Sequence, residues 1–417
     1  MSFLTTATRV WLTKSFKPFT FTRDHTQSLD FGDLDSLGLY IHIPFCTSIC
    51  AFCPYCKELY EEEACNRYID SLLAEIHMVG SQNPNKKEVT SLYFGGGTPA
   101  LALHRLPEIL AAVGEHFVVT QGIGLELHPE NVTTENLLLL QKAGVTKISI
   151  GIQSFGDKFL SLLGRGRADP QKLRHALERV PFETVSMDFI FALPDQTLAD
   201  LQGDVDLAFQ SGANHVALYP FIDFTFTDST VEPLKKADKR RLLDGITLYC
   251  REQGYRRDSI WTFSKGEEAR YSSMTRENFL GFGPSATTLL KGQFKINTFS
   301  LPEYEKAVGE NRLPTSLTLQ FTRRQRMVYY LFWTAYSTRV SARDFEGFFG
   351  EPLKKNYGLE LWLAVKLGFV TEKEGVYEMT LKGAFYYHHY EGYYTLAYID
   401  KMWSTMRREA FPAELRL

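Results

Sequence analysis

Four of the chain's six cysteines lie within eleven residues, in the stretch YIHIPFCTSICAFCPYCKELY that begins at Tyr40. Cys46, Cys50, Cys53 and Cys56 follow the spacing Cys-x3-Cys-x2-Cys-x2-Cys. A structural zinc site usually pairs two neighbouring cysteines with two ligands farther away, and the sequence contains no second pair. One short loop of thiolates instead favours an iron–sulfur cluster, in which three sulfurs bind three irons and a fourth iron stays free for a ligand. The fourth cysteine could complete such a cluster, react beside it or only pack.

The elements around these cysteines alternate between predicted strands and predicted helices. Runs rich in β-branched and aromatic residues predict strands at Leu39–Ile43, Ser91–Phe94, Ile123–Leu127, Lys147–Ile152, Val185–Phe191 and Val216–Tyr219. Amphipathic stretches predict helices at Cys65–Val79, Leu106–Val113, Asn136–Lys142, Pro170–Arg179 and Thr197–Gln210. The alternation indicates parallel β/α units, arranged as an open six-stranded barrel or as a doubly wound sheet.

Residues capable of chemistry follow these strands at their carboxyl ends. The cysteines come after the first strand, GGGTP comes after the second, and Glu126 ends the third. Gln153 follows the fourth strand, and Asp188 lies in the fifth. Because parallel strands of such folds place their carboxyl ends at one edge, we expect a single site there. The three glycines allow the backbone to approach a ligand closely.

Composition limits the classes of function. The 417 residues, 44% of them hydrophobic, suffice for a large core and predict two or three domains. A net charge of −3 provides no large basic field, which argues against a nucleic-acid partner. Apolar runs are too short for a secretory signal or a membrane span, so we expect a cytoplasmic protein without a membrane partner. In the cytosol, clustered cysteines are metal ligands or redox groups rather than disulfides.

The C-terminal part has a different pattern. From about Leu313 the sequence predicts helices, with a two-stranded wing at Gly368–Thr380. Aromatic residues concentrate there, in MVYYLFWTAY, AFYYHHYEGYY and LAYIDKMW. They predict a helical domain with an aromatic core, and they leave open a wall for a flat hydrophobic ligand. His388 and His389 could face such a ligand or form an ordinary core or surface pair.

The cysteine spacing after a strand resembles the signature of the radical S-adenosylmethionine (SAM) enzymes. The flanking LYIHIPFC resembles more specifically the oxygen-independent coproporphyrinogen III oxidase group, including its haem-chaperone and methyltransferase relatives. Matching motifs continue in order over roughly residues 38–290: YFGGGTP, LELHPEN, ISIGIQSF, LGRGR, MDFIFALPDQT, ALYP and GFGPSA. The resemblance implies an α/β fold, a partial (β/α)6 barrel of the TIM type with a smaller C-terminal helical, winged-helix-like domain. It divides the chain into an N-terminal extension (1–37), a radical SAM core barrel (38–300) and an accessory domain (301–417).

The resemblance also implies cofactors and site residues. Cys46, Cys50 and Cys53 would hold a [4Fe-4S] cluster whose open iron binds the amino and carboxylate groups of SAM. One-electron reduction, from a flavodoxin or ferredoxin, would cleave SAM to methionine and a 5′-deoxyadenosyl radical. Tyr40 matches a family tyrosine beside the cluster and counts with the three cysteines as catalytic. The implied contacts to SAM, or to a second SAM, are Tyr40, Phe52, Gly95, Gly96, Gly97, Thr98, Glu126, Gln153, Arg165 and Asp188.

Three departures separate the chain from its relatives. Coproporphyrinogen oxidases carry Cys-x3-Cys-x2-Cys-x-Cys, whereas Cys56 is shifted by one residue here. The first 37 residues lack an arginine-rich arm that would grip four propionates. Haem-chaperone members have no fourth cysteine, and their motif after the barrel differs from WTFSKGEEARYSSM at 261–274.

These departures leave three functional hypotheses. The leading one is an enzyme that uses two SAM molecules to methylate or alkylate an sp2 carbon of a flat aromatic or tetrapyrrole substrate. The alternatives are oxidative decarboxylation of a porphyrinogen propionate and a haem chaperone with little catalytic activity. The sequence does not identify the substrate or the role of Cys56.

Overall fold

The computed structural model describes residues 3–23, 27–266 and 277–417, so the last part of the segment WTFSKGEEARYSSM lies outside the described residues. The strands are β1 Thr20–Thr22, β2 Gly38–Ile43, β3 Phe45–Cys46, β4 Glu58–Leu59, β5 Lys87–Val89, β6 Ser91–Gly96, β7 Phe117–Val119, β8 Ile123–Leu127, β9 Val145–Gln153, β10 Thr184–Phe191, β11 His215–Pro220, β12 Arg256–Arg257, β13 Thr262–Ser264, β14 Phe279–Phe282, β15 Thr287–Leu290, β16 Gln293–Asn297, β17 Thr315–Gln320, β18 Arg339–Ser341, β19 Val370–Lys373, β20 Val376–Met379 and β21 Glu414–Arg416.

The helices alternate with the strands in the first half of the chain and dominate the second half. They are α1 Phe3–Thr13, α2 Glu62–Gly80, α3 Leu106–His116, α4 Thr134–Lys142, α5 Asp157–Leu163, α6 Pro170–Arg179, α7 Leu198–Gln210, α8 Lys236–Glu252, α9 Leu301–Gly309, α10 Arg323–Tyr336, α11 Ala342–Phe349, α12 Leu353–Lys366, α13 Leu381–Tyr394 and α14 Asp400–Arg408. Short 3-10 helices lie at Pro99–Arg105 and Pro129–Asn131, and a π-helical turn at Thr395–Ile399 joins α13 to α14.

Six parallel strands form the partial TIM-type barrel that the sequence predicts. β2, β6, β8, β9, β10 and β11 lie side by side in chain order, and each neighbouring pair is parallel. A doubly wound sheet would reverse its strand order part-way, so this alternative is wrong. The strands are largely buried on both faces, as parallel strands covered by helices are. Their carboxyl ends therefore share one edge, here called the barrel mouth.

Local sequence explains several helix boundaries. Thr197 caps α7: its side chain accepts from the Asp200 amide, and Asp200 accepts in return from the Thr197 amide. Asp169 caps α6 in the same position, one residue before Pro170. α5 has no counterpart among the predicted helices, because a helix of seven residues is too short to show a helical repeat of apolar residues.

The sheet continues beyond the first of these six strands, β2. β14 pairs in parallel with β2, and β15, β16 and β17 continue the sheet as antiparallel neighbours. β17 pairs with β1 near the N-terminus, and β1 pairs with β21 near the C-terminus. The prediction of an all-helical segment with one wing after Leu313 is thus wrong at β17. Its sequence TSLTLQ has the β-branched alternation of a strand, and long-range pairing stabilises it.

The C-terminal helices form the predicted smaller domain with a wing. β19 and β20 make the predicted hairpin, and β18 joins it as a third strand. Aromatic residues fill the core of this domain, with the buried set Met327, Tyr330, Phe345, Phe349, Leu353, Tyr357 and Tyr377. On α10 only Tyr330 is a buried aromatic residue, and the other four, Tyr329, Phe332, Trp333 and Tyr336, are partly exposed. Among the described helices, none has the length and apolar character needed to cross a membrane.

Candidate functional site

The cysteine loop leaves β2 at the barrel mouth and is closed at its base by backbone pairing. The Glu58 amide donates to the Pro44 carbonyl over 2.7 Å, and the Tyr60 amide donates to the Cys46 carbonyl over 2.9 Å. Inside the loop the Cys53 amide donates to the Cys50 carbonyl over 3.2 Å. Cys46, Cys50 and Cys53 are all partly exposed free thiols. The loop thus presents three thiols together.

The fourth cysteine has a different environment. Cys56 is buried, with 4% of its surface exposed, and its Sγ donates to the Phe299 carbonyl over 3.3 Å. Burial raises the pKa of this thiol to about 12, so it stays protonated at neutral pH. Its neighbours include Leu317, Met402 and Met406, which belong to the C-terminal half of the chain. Cys56 therefore anchors the loop to the C-terminal region.

Tyr40 and His42, on β2, connect this anchor to the barrel mouth. His42 Nε2 lies 2.9 Å from the Cys56 carbonyl, and His42 Nδ1 lies 3.0 Å from the Tyr40 hydroxyl. Burial lowers the pKa of His42 to about 4, so the imidazole is neutral. Because a carbonyl only accepts, Nε2 carries the proton and the Tyr40 hydroxyl donates to Nδ1. These two hydrogen bonds orient the Tyr40 ring beside Glu126. Burial, followed by the charge of Glu126, raises the pKa of Tyr40.

The glycine run after β6 packs against the start of the cysteine loop. The Gly97 amide donates to Ile43 and the Thr98 amide donates to Phe45, over 2.8 and 2.7 Å. A Cβ on Gly97 would lie 2.5 Å from the Phe45 carbonyl oxygen, and Gly96 has φ +120°. The glycines thus allow this backbone to lie close to Phe45, the residue before Cys46, and the predicted approach to a ligand stays a prediction. Gly95 lies against Tyr40 and Glu126.

Two carboxylates lie at the mouth, one at the end of β8 and the other on β10, with β9 between these strands. Glu126, at the end of β8, accepts from the Tyr93 hydroxyl and the Gly96 amide, both over 3.0 Å. Burial, followed by the charge of Asp188, raises the pKa of Glu126 to about 7. Burial also raises the pKa of Asp188 to about 6, although two serine hydroxyls donate to it. Among the described residues no cationic side chain contributes to either shift, so these two half-buried carboxylates form a site suited to a positively charged ligand.

Arg165 and Gln153 lie on the same side of the mouth as Asp188. Arg165 donates to the Gly151 carbonyl over 2.9 Å, and its other terminal nitrogen lies 3.5 Å from Cys50 Sγ. Gln153 has φ +69°, a strained backbone for this residue, at a bulge between β9 and β10. Its side-chain amide lies over Gly151, where a Cβ would be 2.9 Å from Nε2. Arg165 therefore joins the cysteine loop to the β9 end.

Phe52, the remaining predicted contact, is partly buried rather than free in the mouth. It packs on a small apolar cluster beyond the ends of β9 and β10, formed by Phe159, Leu163, Ile190, Leu193 and Phe221. This packing holds the loop between Cys50 and Cys53 against the barrel.

The C-terminal helix α14 covers one side of the cysteine loop. Trp403 lies within 6.4 Å, between ring centroids, of four aromatic side chains: Tyr55, Phe224, Phe226 and Phe299. Arg407 donates to the Pro54 carbonyl and lies over the rings of Phe226 and Phe299, at 4.8 and 5.4 Å. Tyr55, two residues after Cys53, leaves about half of its surface exposed beside this aromatic group (54%). The result is an aromatic surface with one guanidinium beside the three thiols.

His388 and His389 do not form a pair that faces a flat ligand. His388 is buried between Phe191 and Trp261, with ring centroids 5.9 and 5.4 Å away. Burial lowers its pKa to about 3, so it is neutral. His389 stacks on Phe385. The interpretation of His388 as a packed core residue is correct.

Several residues of the site are absent from the sequence prediction. Tyr93 holds Glu126, and Ser149 and Ser186 hold Asp188 over 2.8 and 3.1 Å. Strand alternation contains a signal for Ser186, because residues two apart on a strand share a face with Asp188. Arg407 and Trp403 have no such signal, since they reach the site from the far end of the chain.

Comparison with known proteins identifies the fold and a radical SAM domain. A family model described as the radical SAM superfamily matches residues 40–208. The heme chaperone HemW of Bacillus subtilis is 24% identical over 362 residues, which cover 82% of this chain and 95% of the relative. The oxygen-independent coproporphyrinogen III oxidase of Cereibacter sphaeroides is 26% identical, covering 67% and 68% of the two chains. The solved structure of coproporphyrinogen III oxidase (HemN) from Escherichia coli superposes with a TM-score of 0.73 at 20% identity, over 85% of this chain and 88% of that one, and establishes the fold.

The radical SAM match implies a [4Fe-4S] cluster and SAM, and the residues present fit both groups. Among the described residues, the three loop thiols are not within the mutual 4.8 Å expected around a single ion. A cubane spreads its thiolates over three irons and suits a wider set of sulfurs. Burial raises the pKa of Cys46 to about 11 and raises that of Cys53, and the charge of Lys57, which donates to the Cys53 carbonyl, offsets part of the rise at Cys53.

The order of the strands, the thiol loop after the first of them and the three comparisons agree. Residues 40–208 form a radical SAM domain, and over most of its length the chain is similar to proteins of the oxygen-independent coproporphyrinogen III oxidase-like group.

Proposed function

We propose that this radical SAM enzyme uses two SAM molecules to methylate or alkylate an sp2 carbon of a flat tetrapyrrole or aromatic substrate. The observation that carries the proposal is the arrangement of the mouth. Three thiols, two carboxylates of raised pKa and an arginine surround one opening, and an aromatic surface borders it.

Cys46, Cys50 and Cys53 would hold the cluster. When bound and reduced, a [4Fe-4S] cluster supplies the electron that cleaves SAM into methionine and a 5′-deoxyadenosyl radical. Cys56 would not be a ligand, because its sulfur is already committed to the Phe299 carbonyl. A flavodoxin or ferredoxin would deliver the electron.

Glu126 would bind the ammonium group of the first SAM. Its two hydrogen bonds come from neutral donors, so a positive ligand would relieve the repulsion from Asp188 that raises its pKa. Tyr40 is fixed beside it by His42 and would contact the same SAM. Phe52, Gly95, Gly96, Gly97 and Thr98 would complete this side through the loop and the β6 end.

The part of the mouth beside β9 and β10 contains a second pair of complementary groups. Arg165 offers a guanidinium and Asp188 a carboxylate, which together match the carboxylate and ammonium of an amino acid. Gln153, with its strained backbone, adds an amide at the same edge. This second set supports a second SAM, whose methyl carbon would be transferred.

The substrate class rests on the aromatic border and on the relatives. Tyr55, Phe226 and Trp403 offer ring faces, and Arg407 offers a cation for a substrate carboxylate. The relatives are named for heme and for coproporphyrinogen III, both of which are tetrapyrroles.

Two other functions remain as competing proposals. A haem chaperone is favoured by the match to HemW, which extends over 95% of that protein. Decarboxylation of porphyrinogen propionates is favoured by the relative from Cereibacter sphaeroides. Both would use the same mouth but give different products.

Product analysis under anaerobic conditions separates the three functions. The cluster is reconstituted and reduced with dithionite, SAM is added, and 5′-deoxyadenosine and S-adenosylhomocysteine are measured by mass spectrometry. Parallel reactions contain haem, a porphyrinogen or neither. A Glu126→Gln variant serves as the matched control.

We expect both products to rise together in wild type when the substrate is present, because each transfer consumes one SAM as radical source and one as methyl donor. 5′-Deoxyadenosine alone, stimulated by porphyrinogen, would replace the proposal by decarboxylation. Tight haem binding with neither product would replace it by the chaperone function.

A further inference from the structure

A cluster of metal-binding side chains lies at the opposite edge of the barrel from the mouth. His77 is in the last turn of α2, and Glu115 and His116 end α3. His77 Nδ1 is 3.1 Å from His116 Nε2 and 3.6 Å from Glu115 Oε2. Within the part of the chain that the structure describes, these three residues are the one group of this kind whose ligand atoms all lie within 4.8 Å of one another.

The spacing matches a tetrahedral zinc site. Two imidazole nitrogens bound to Zn2+ at about 2.0–2.1 Å, in tetrahedral geometry, lie about 3.3–3.4 Å apart. The distances between these ligand atoms lie on either side of that value. The partly exposed position of all three residues leaves room for water as a fourth ligand.

The backbone of α2 is shaped to receive the His116 ring. A Cβ on Gly80 would lie only 2.2 Å from His116 Cγ, so a larger residue at this position would displace the imidazole. The T-shaped contact of the His77 and His116 rings, with centroids 5.3 Å apart, fixes both side chains further. The two nitrogens are therefore held in place before any ion binds.

Electrostatics favours a cation at this place. α2 and α3 both end here, so the negative ends of two helix dipoles meet at the cluster. Lys86 Nζ donates to the Gly114 carbonyl over 2.6 Å, which offsets part of the α3 dipole. Glu115 adds a carboxylate where the helix dipole disfavours negative charge. A divalent ion would neutralise the dipole ends and the carboxylate together.

The simpler interpretation is a histidine–histidine hydrogen bond on the surface. It accounts for the 3.1 Å distance, because one neutral imidazole can donate to the other. It does not account for the placement of Glu115 against two helix C-termini or for the slot beside Gly80. Both features are consistent with an ion.

We propose that His77, His116 and Glu115 bind one divalent transition-metal ion of the Zn2+ type, which links the C-terminal ends of α2 and α3. The ion's role is structural, because the site lies at the amino ends of the strands, across the barrel from the thiols. It joins the first two helices of the barrel on the outside, next to the β5–β7 pair.

Zinc binding by the cluster-loaded protein tests the proposal, since loading occupies the loop thiols that would otherwise bind Zn2+. Wild type, His77→Ala/His116→Ala and the control His175→Ala, an exposed histidine on α6, are titrated with Zn2+ by calorimetry. X-ray absorption at the zinc edge then identifies the ligand atoms. The expected result is one more equivalent of Zn2+ in wild type and control than in the double variant, with nitrogen and oxygen ligands.

Two further variants test the details of the site. Glu115→Gln should weaken binding by about tenfold or more, at least the loss caused by removing an outer partner of a metal ligand. Gly80→Ala should weaken binding although all three ligands remain. Equal stoichiometry and affinity in the double variant, or sulfur ligands at the zinc edge of the wild type, would overturn the proposal.

Discussion

Two glutamates of raised pKa, one buried and one half-buried, occupy different regions of the molecule. Glu126 lies at the barrel mouth and Glu75 lies on α2, and burial raises the pKa of each to about 7. Glu75 is 2% exposed and accepts from the Gly283 amide, the Asn297 amide and the Tyr304 hydroxyl, over 2.7 to 3.0 Å. Glu126 accepts two bonds and has a second carboxylate, Asp188, nearby.

The difference between them shows how a structural carboxylate can be distinguished from a functional one when both have the same raised pKa. Glu75 has its oxygens satisfied by donors from β14, β16 and α9, which join α2 to the extended sheet. Glu126 has an unfavourable neighbour in Asp188 and is only half-buried. A raised pKa indicates a site only where the carboxylate retains capacity for a ligand. The same contrast distinguishes Cys56 from the other three loop cysteines.

The largest expected effect is on the cluster, and it is all or none. Alanine at Cys46, Cys50 or Cys53 should abolish the visible iron–sulfur absorption of the reconstituted protein, since each removes one of three proposed ligands. Cys56→Ala should retain both absorption and SAM cleavage, because the Cys56 thiol donates a hydrogen bond to the Phe299 carbonyl and is not one of the proposed ligands. Loss of the cluster in Cys56→Ala would make the fourth cysteine a ligand and break the contrast.

A large effect on stability is expected at Glu75. Glu75→Leu leaves three buried donors without an acceptor, at about 1–3 kcal/mol each, so the free energy of unfolding should fall by at least about 3 kcal/mol. Denaturant titration measures this loss, and Glu75→Gln, which keeps one acceptor oxygen, should lie between. An unchanged unfolding midpoint would show that the network does not stabilise the junction.

At Glu126 the expected effect is on chemistry instead of stability. Glu126→Gln removes a charged hydrogen bond to the SAM ammonium, about 1.5–3 kcal/mol, so 5′-deoxyadenosine formation at low SAM should fall about 10- to 100-fold. The variant keeps an acceptor for the Gly96 amide, and its unfolding midpoint should match or exceed that of wild type. A variant with wild-type rates would exclude Glu126 from SAM binding.

SAM should also change the pH dependence of protein stability that arises from Glu126, but not the pH dependence that arises from Glu75. Folding raises the pKa of Glu126 from 4.5 to about 7, so its protonated form is favoured in the native state. Wild type should therefore lose stability relative to Glu126→Gln as the pH rises from about 4.5 to about 7. The SAM ammonium should remove most of this loss, whereas the matching loss at Glu75 should persist with SAM. Unfolding midpoints across this pH range, with and without SAM, provide the measurement.

Local sequence patterns predict much of the barrel but not the contacts that complete the mouth. Ile123–Leu127 and Pro170–Arg179 have the predicted bounds, because a strand's composition and a Pro-initiated helix are local properties. Cys56 and Phe299 are 243 residues apart, and Arg407 and Pro54 are 353 residues apart. Such pairs depend on how the C-terminal region docks, which no local pattern specifies. The pairing of β1 with β17 escaped prediction for the same reason.

The smallest expected effect is at this docking contact. Arg407→Ala removes the bond to the Pro54 carbonyl and two cation–π contacts of about 0.5–1 kcal/mol each at exposed sites, so global stability should fall by only about 1–2 kcal/mol. The neighbouring Arg408→Ala, whose side chain bonds within α14, is the matched control. We expect the reconstituted cluster of Arg407→Ala to lose iron to a chelator faster than that of Arg408→Ala, because the loop that carries the thiols would be less constrained. Equal rates of iron loss would mean that Cys56, Phe52 and the backbone pairing hold the loop without help from α14. The C-terminal helix would then contribute an aromatic surface to the mouth but no support to the thiols.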